Sequence, residues 1–316
     1  MTGVQTCALP ISDKPLDLSP LRDLDAAGSL RVGSLKVANL RLSQVRLGLK
    51  AAAGALDLNP VSANLYQGTV NGRASLLAAA RAPQLHLEQT LVGVSIGPLL
   101  KDMTGKESVL GRGNITLDLT AAGATTPALM KTLAGSARLE LRDGAVKGIN
   151  IAQAVRSAKA SLGLGSGTQQ GSGGSDQSTD FSELSGSFRM AAGVAHNDDL
   201  QAKSPLLRVA GSGDIDLGES RLDYLVKTTV VGTLQGQGGP ELQALRGQTV
   251  PVRLKGPFTH IGYSIDFAGL ARDAARQKLE EEVGRQLGVK GNDAAARDEA
   301  KKKLADKLKG LLGGGR

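Results

Sequence analysis

A chain of 316 residues with a formal charge of +8, 42 Gly, three Tyr, four Phe and no Trp is long enough to bury a sizeable core, but Leu, Val, Ile and Ala must build it. That composition suits many thin strands and turns. It argues against a nucleic-acid partner, because the basic residues are spread among acids along the chain and few aromatic rings are present to stack on bases. The one cysteine, Cys7, excludes an internal disulfide framework and a cysteine-based metal site.

The first twelve residues, MTGVQTCALPIS, do not share the pattern of the rest of the chain. They resemble translated adapter sequence, so residues 1–12 are expected to be foreign and the native chain truncated upstream. Their apolar content is too short for a membrane span, and no signal-peptide layout accompanies it. From Ser29 onward apolar residues recur at every second position, as in Leu30 and Val32, Leu35 and Val37, and Val45, Leu47 and Leu49. Alternation puts one set of side chains on each face of a sheet, and turn signals at intervals of about 8 to 12 residues predict a β-meander over residues 13–110. GPLLKDMTG, Gly97–Gly105, predicts a short helix within it.

Residues 111–267 form a second β-rich region. Ile115, Leu117 and Leu119 face one way in GRGNITLDLTAAG. TPALMKTLAG predicts another short helix, with Thr126 as its N-cap, Pro127 at its first position and Gly135 as its stop. In RLELRDGAVKGINIAQAV, Leu139 and Leu141 share a face. Asp143-Gly144 there has the sequence of a two-residue hairpin turn sending a brief strand back alongside. Asn150 and Gln153 then fit a capping box for an amphipathic helix striped by Ile151, Val155, Ala158 and Leu162. Residues 163–179, rich in Gly, Ser, Gln and Thr, predict a flexible surface loop.

Strands resume with Leu184, Phe188 and Met190 on one face of FSELSGSFRM, followed by Val209, Ile215 and Leu217 in LLRVAGSGDIDLG. Leu222, Tyr224 and Val226, then Val250, Val252 and Leu254, continue the apolar set. Pro251 lacks an N–H to donate and points to an edge or end of the sheet. Residues 268–316 read as an amphipathic basic helical tail with 12 basic and 8 acidic residues, a net +4. The tail is either a solvated helix pair or a weak membrane-surface contact. The fold class expected is therefore mainly β with short helices: a long antiparallel, curled sheet, open as a groove, with a helical C-terminal tail.

Catalytic signals are sparse. His86, His196 and His260 are far apart, with no second His or Cys at ligand spacing, and His86 beside Glu88 reads as solvated. HNDDL, His196–Leu200, reads as a turn, with cation binding the less favoured alternative. Neither a nucleophile elbow nor a P-loop is present. The expectation is no enzyme, no cofactor, no metal and no catalytic residue.

The order LAGSARLELRDGAVKGINIAQAV, Gly/Ser-rich loop, TDFSELSGSFRMAAGV, NDDLQAKSPLLRVAGSGDIDLGESRLDY and TVPVRLKGPF resembles the C-terminal region of the AsmA family. One departure is AAGV, Ala191–Val194, where an acidic residue before the Gly would turn better. The resemblance implies a Gram-negative envelope protein, anchored in the inner membrane by an N-terminal helix missing here and extending into the periplasm. It further implies a role in outer-membrane biogenesis, with phospholipid or another acyl-chain lipid, bacterial membranes and envelope proteins as partners. The apolar positions named between Ile115 and Leu254 would then line a lipid groove. Equally, each of them can simply pack against a second sheet or the short helices. An assembly scaffold acting on outer-membrane proteins through a free sheet edge is the competing reading. A transmembrane barrel is disfavoured by the missing aromatic girdles and the internal helices.

Overall fold

The computed structural model describes residues 14–37, 39–78, 82–148, 169–172, 177–205, 207–231 and 249–265. The period-two pattern becomes strands β1 (Ala26–Val37), β2 (Leu40–Ala52), β3 (Ala55–Leu65), β4 (Gly68–Leu77) and β5 (Gln84–Ser95). Helix α1 (Ile96–Thr104), β6 (Arg112–Ala122), helix α2 (Thr126–Thr132), β7 (Ala134–Lys147) and β8 (Gln169–Ser172) come next. The rest are β9 (Ser178–Ala191), β10 (Val194–Lys203), β11 (Leu207–Asp216), β12 (Arg221–Val230), β13 (Thr249–Pro257) and β14 (Gly262–Ile265). Among the described residues these fourteen strands form one antiparallel sheet in the order β1 to β7, β9 to β14, β8, and it does not close. Consecutive strands are therefore spatial neighbours almost throughout, as a meander requires.

The two helices close opposite ends of the strands. Helix α1 stops at Gly105, which is left-handed at φ 78 and donates its N–H to the Lys101 carbonyl at 2.8 Å. It buries Ile96 and Leu99 and packs on both β5 and β2. Nine residues span about 13 Å of helix, close to the width of three strand spacings, so α1 crosses the sheet end as a bar. Asp102 fixes its far end, accepting the Tyr66 hydroxyl at 2.7 Å and pairing with Arg41 at 3.4 Å. Helix α2 starts one residue earlier than its sequence suggests: Thr125 is the cap and accepts the Ala128 N–H at 3.2 Å. Its Thr132 hydroxyl donates to the Ala122 carbonyl at 2.7 Å, tying the helix to β6.

Several local readings change. Asp143-Gly144 makes no hairpin, for β7 runs through it. Asp143 alone is left-handed, at φ 48, and β7 gains one residue against its β6-side neighbours there, pairing Arg142 with Arg112 but Val146 with Val109. That is a bulge, in which Asp tolerates the left-handed region. Gly144 is needed instead for space, since a Cβ would collide with the Leu110 carbonyl and the Phe181 ring.

Within the segment 163–179 read as a loop, Gln169–Ser172 forms edge strand β8 on β14, and Ser178-Thr179 opens β9. Backbone pairing at a sheet edge needs no apolar side chains, which is why composition hid it. Pro251 lies opposite Lys227 of β12, while pairing with β14 begins only at Val252, so β13 is locally an edge at the proline. The helix expected from Asn150 and Gln153, and the tail 268–316, lie outside the described residues.

Candidate functional site: the apolar face of the sheet

Register assembles the apolar positions into rows across strands. Ile115 pairs with Leu139, Leu141 with Leu184, Ile215 with Leu222, Tyr224 with Leu254, and Val226 with Val252. Leu117 reaches Phe188 through Ala137, and Leu119 reaches Met190 through Gly135. Val209 reaches Val250 through Thr228, and Leu217 lies in the turn after β11. Sixteen of the seventeen expected lining residues thus share one face of one sheet, and Leu217 lies just beyond it.

They are not equally accessible. Val209, Tyr224, Val226, Val250, Val252 and Leu254 on β11 to β13 are buried, with Val252 at 0% exposure. Leu141 and Leu184 are also closed, inside a cluster with Val45, Val70, Leu91, Val94, Phe181 and the α1 residues Ile96 and Leu99. Ile115, Leu117, Leu119, Leu139, Phe188 and Met190 are only half-buried, as are Ile215, Leu217 and Leu222. A half-buried apolar track therefore runs over β6, β7 and β9, with Ile115, Leu117 and Leu139 packed at its edge against that cluster. On β11 to β13 the six buried positions belong to packed core while Ile215 and Leu222 stay half-buried, a distinction that the alternating pattern does not carry.

Polar groups on this face are few and specific. Asn197, 1% exposed, is the hub of a bulge in β10: it donates to the Ser187 carbonyl at 2.8 Å, accepts the Leu200 N–H at 3.2 Å and accepts the Tyr224 hydroxyl. Burial pushes the Tyr224 phenol up, with the Asp199 charge adding to it. HNDDL is accordingly a bulged strand and not a turn, because Asn197 satisfies backbone groups that the extra residue leaves unpaired. Asp199 accepts from the Ser187 hydroxyl and N–H, which hold its carboxyl below the ordinary range. Gln89 is buried on β5, donating to the Arg73 carbonyl at 2.9 Å.

The opposite face is polar. His86, Glu88 and Asp118 come together there across β5 and β6, with His86 Nε2 at 3.1 Å from Asp118 and 3.4 Å from Glu88. Sequence reasoning missed Asp118, whose place is set only by the pairing of Glu88 with Asp118. Arg73 already engages Glu88 in an ion pair, so these groups satisfy one another as an exposed cross-strand ladder. An open cavity of about 800 Å³ lies alongside, lined by Asp57, Arg73, Ser75, His86, Thr120 and Thr132 among others. No helix among the described residues is long and apolar enough to cross a membrane, which says nothing about strands.

The model of the AsmA family matches residues 4–200. This chain belongs to the AsmA family. It is 26% identical to protein AsmA of Escherichia coli K12 over 262 residues, covering 81% of this chain and 40% of that relative. The chain thus spans about two fifths of the length of the curated AsmA protein it matches. No solved structure matches it. The AsmA match takes in β1 to β9 and the bulged first part of β10, whereas the motifs quoted for the sequence resemblance begin only at Leu133.

Proposed function

We propose that this chain is a non-enzymatic, acyl-chain-holding module of the bacterial envelope, in the periplasm and tethered to the inner membrane in the full-length protein. On this reading it carries phospholipid toward the outer membrane along the apolar face of its sheet. The observation that supports this most is the half-buried track of Ile115, Leu117, Leu119, Leu139, Phe188 and Met190, continuous in register across β6, β7 and β9. Hydrocarbon leaving water gains about 0.8 kcal/mol per CH2, so a few rungs of such a track retain an acyl chain without polar recognition. Aliphatic rungs with few polar groups make a smooth path, and nothing in this action calls for a catalytic residue.

The test is a photocrosslinking residue placed at Leu117, on the apolar face, or at its neighbour Asp118, on the polar face, in cells. Lipid adducts from position 117 and none from 118 are expected. Protein adducts alone at 117 would favour the scaffold reading, for which the one-sided backbone pairing of β1 is the supporting observation.

A further inference from the structure

We propose that the polar face of β1 and β2 is a docking surface for an anionic phospholipid membrane. Together these two strands hold Arg31, Lys36, Arg41, Arg46 and Lys50 and no Asp or Glu. Register worsens the crowding, setting Arg31 directly opposite Arg46 and Lys36 directly opposite Arg41. Like charges directly opposite one another on a sheet destabilise it, so the fold itself gains nothing from this arrangement. All five side chains sit at exposed positions.

Elsewhere the sheet neutralises cations locally: Lys203 pairs with Glu183 at 2.6 Å, Arg189 with Asp198 at 2.9 Å and Arg253 with Asp223 at 2.8 Å. On β1 and β2 only Arg41 has such a partner, Asp102. Arg31, Lys36, Arg46 and Lys50 form no ion pair with the described residues, although Asp57 of β3 stands opposite Lys50 in register. An uncompensated strip of cations on an exposed sheet face matches a plane of phosphate headgroups in charge.

The other side of the same strands exposes apolar side chains, with Leu30 at 50% and Val37 at 51%. Val32 and Leu35 pack from it against the core that continues into the apolar track. Docking through the cations leaves this apolar side turned away from the headgroups, so the strip holds the sheet beside the membrane and does not itself insert the track. The docking does not rest on the lipid-holding reading.

The experiment is flotation of the full chain with vesicles of phosphatidylglycerol mixed with phosphatidylcholine, against phosphatidylcholine alone. The strip variant Arg31→Gln/Lys36→Gln/Arg46→Gln/Lys50→Gln is compared with a control of equal charge loss, Arg138→Gln/Arg189→Gln/Lys203→Gln/Arg253→Gln. Thermal melts establish that both are folded. Each cation near an anionic surface is worth about fivefold in partitioning, so the strip variant should lose on the order of several hundredfold and the control far less. Binding of the native chain should also weaken as salt rises. Equal losses in both variants, or no preference of the native chain for anionic vesicles, would overturn the proposal. Co-purifying lipid is scored separately, so loss of docking with lipid retained removes this surface and leaves the proposed function standing.

Discussion

Ala192 occupies the left-handed region at φ 48, followed by Gly193 at φ 80, in the two-residue loop between β9 and β10. Both positive values are what the primed hairpin turn requires, and Ala lacks the polar side chain that lets Asn or Asp sit there. Ala192→Asn is expected to stabilise the protein by about 0.5–1 kcal/mol, read as a higher urea midpoint with an unchanged slope.

Three carboxyls behave alike. Asp199 held by Ser187, Asp223 by Arg253 and Glu183 by Lys203 all lie below the ordinary carboxylate range. Because unfolding returns them to pKa values near 4, the unfolded state binds more protons there, and the stability they contribute is present at neutral pH. Urea midpoints measured down the pH scale should hold above about pH 5 and fall as pH drops through 4 toward the folded values. A flat profile would show that these contacts contribute nothing.

At the level of the element, period-two alternation was readable in the sequence because each strand carries its own pattern. The bulges were not, because they are defined by a neighbour many residues away: Asp143 against β6, and Asn197 between β9 and β11. Burial was equally illegible. Leu117 and Val226 look alike in their strands, yet Leu117 is half-buried and Val226 is 4% exposed.

The difference is measurable by truncation. Leu184→Ala, in the closed cluster, should cost about 2–5 kcal/mol, and Leu117→Ala on the half-buried track clearly less. Helix α1 provides a second check. Tyr66→Phe removes the 2.7 Å bond to Asp102, a charged acceptor, and should speed amide exchange in α1 by about tenfold or more while β9 to β13 stay protected. Uniform acceleration would mean that α1 does not open independently.

Over the described residues, the protein is one open antiparallel sheet with a polar face, an apolar face and a short helix at each end of its strands. Family membership and architecture agree with what the ordered motifs implied. The proposed track was named within the wider set of seventeen apolar positions but not separated from the packed ones, since that depends on which stretch of the apolar face stays half-buried. The cation strip is hidden in the sequence for a related reason, as its members are separated along the chain and meet only through the pairing of β1 with β2. The proposed lipid holding depends on whether the half-buried stretch takes up an acyl chain. The most direct measurement is native mass spectrometry of the chain purified without added lipid, beside the variant Ile115→Asp/Leu117→Asp/Phe188→Asp checked to be folded. Bound phospholipid on the native chain and its loss from the variant is the predicted result. A native chain that carries none and takes none up from liposomes, or a folded variant that keeps its lipid, would contradict it.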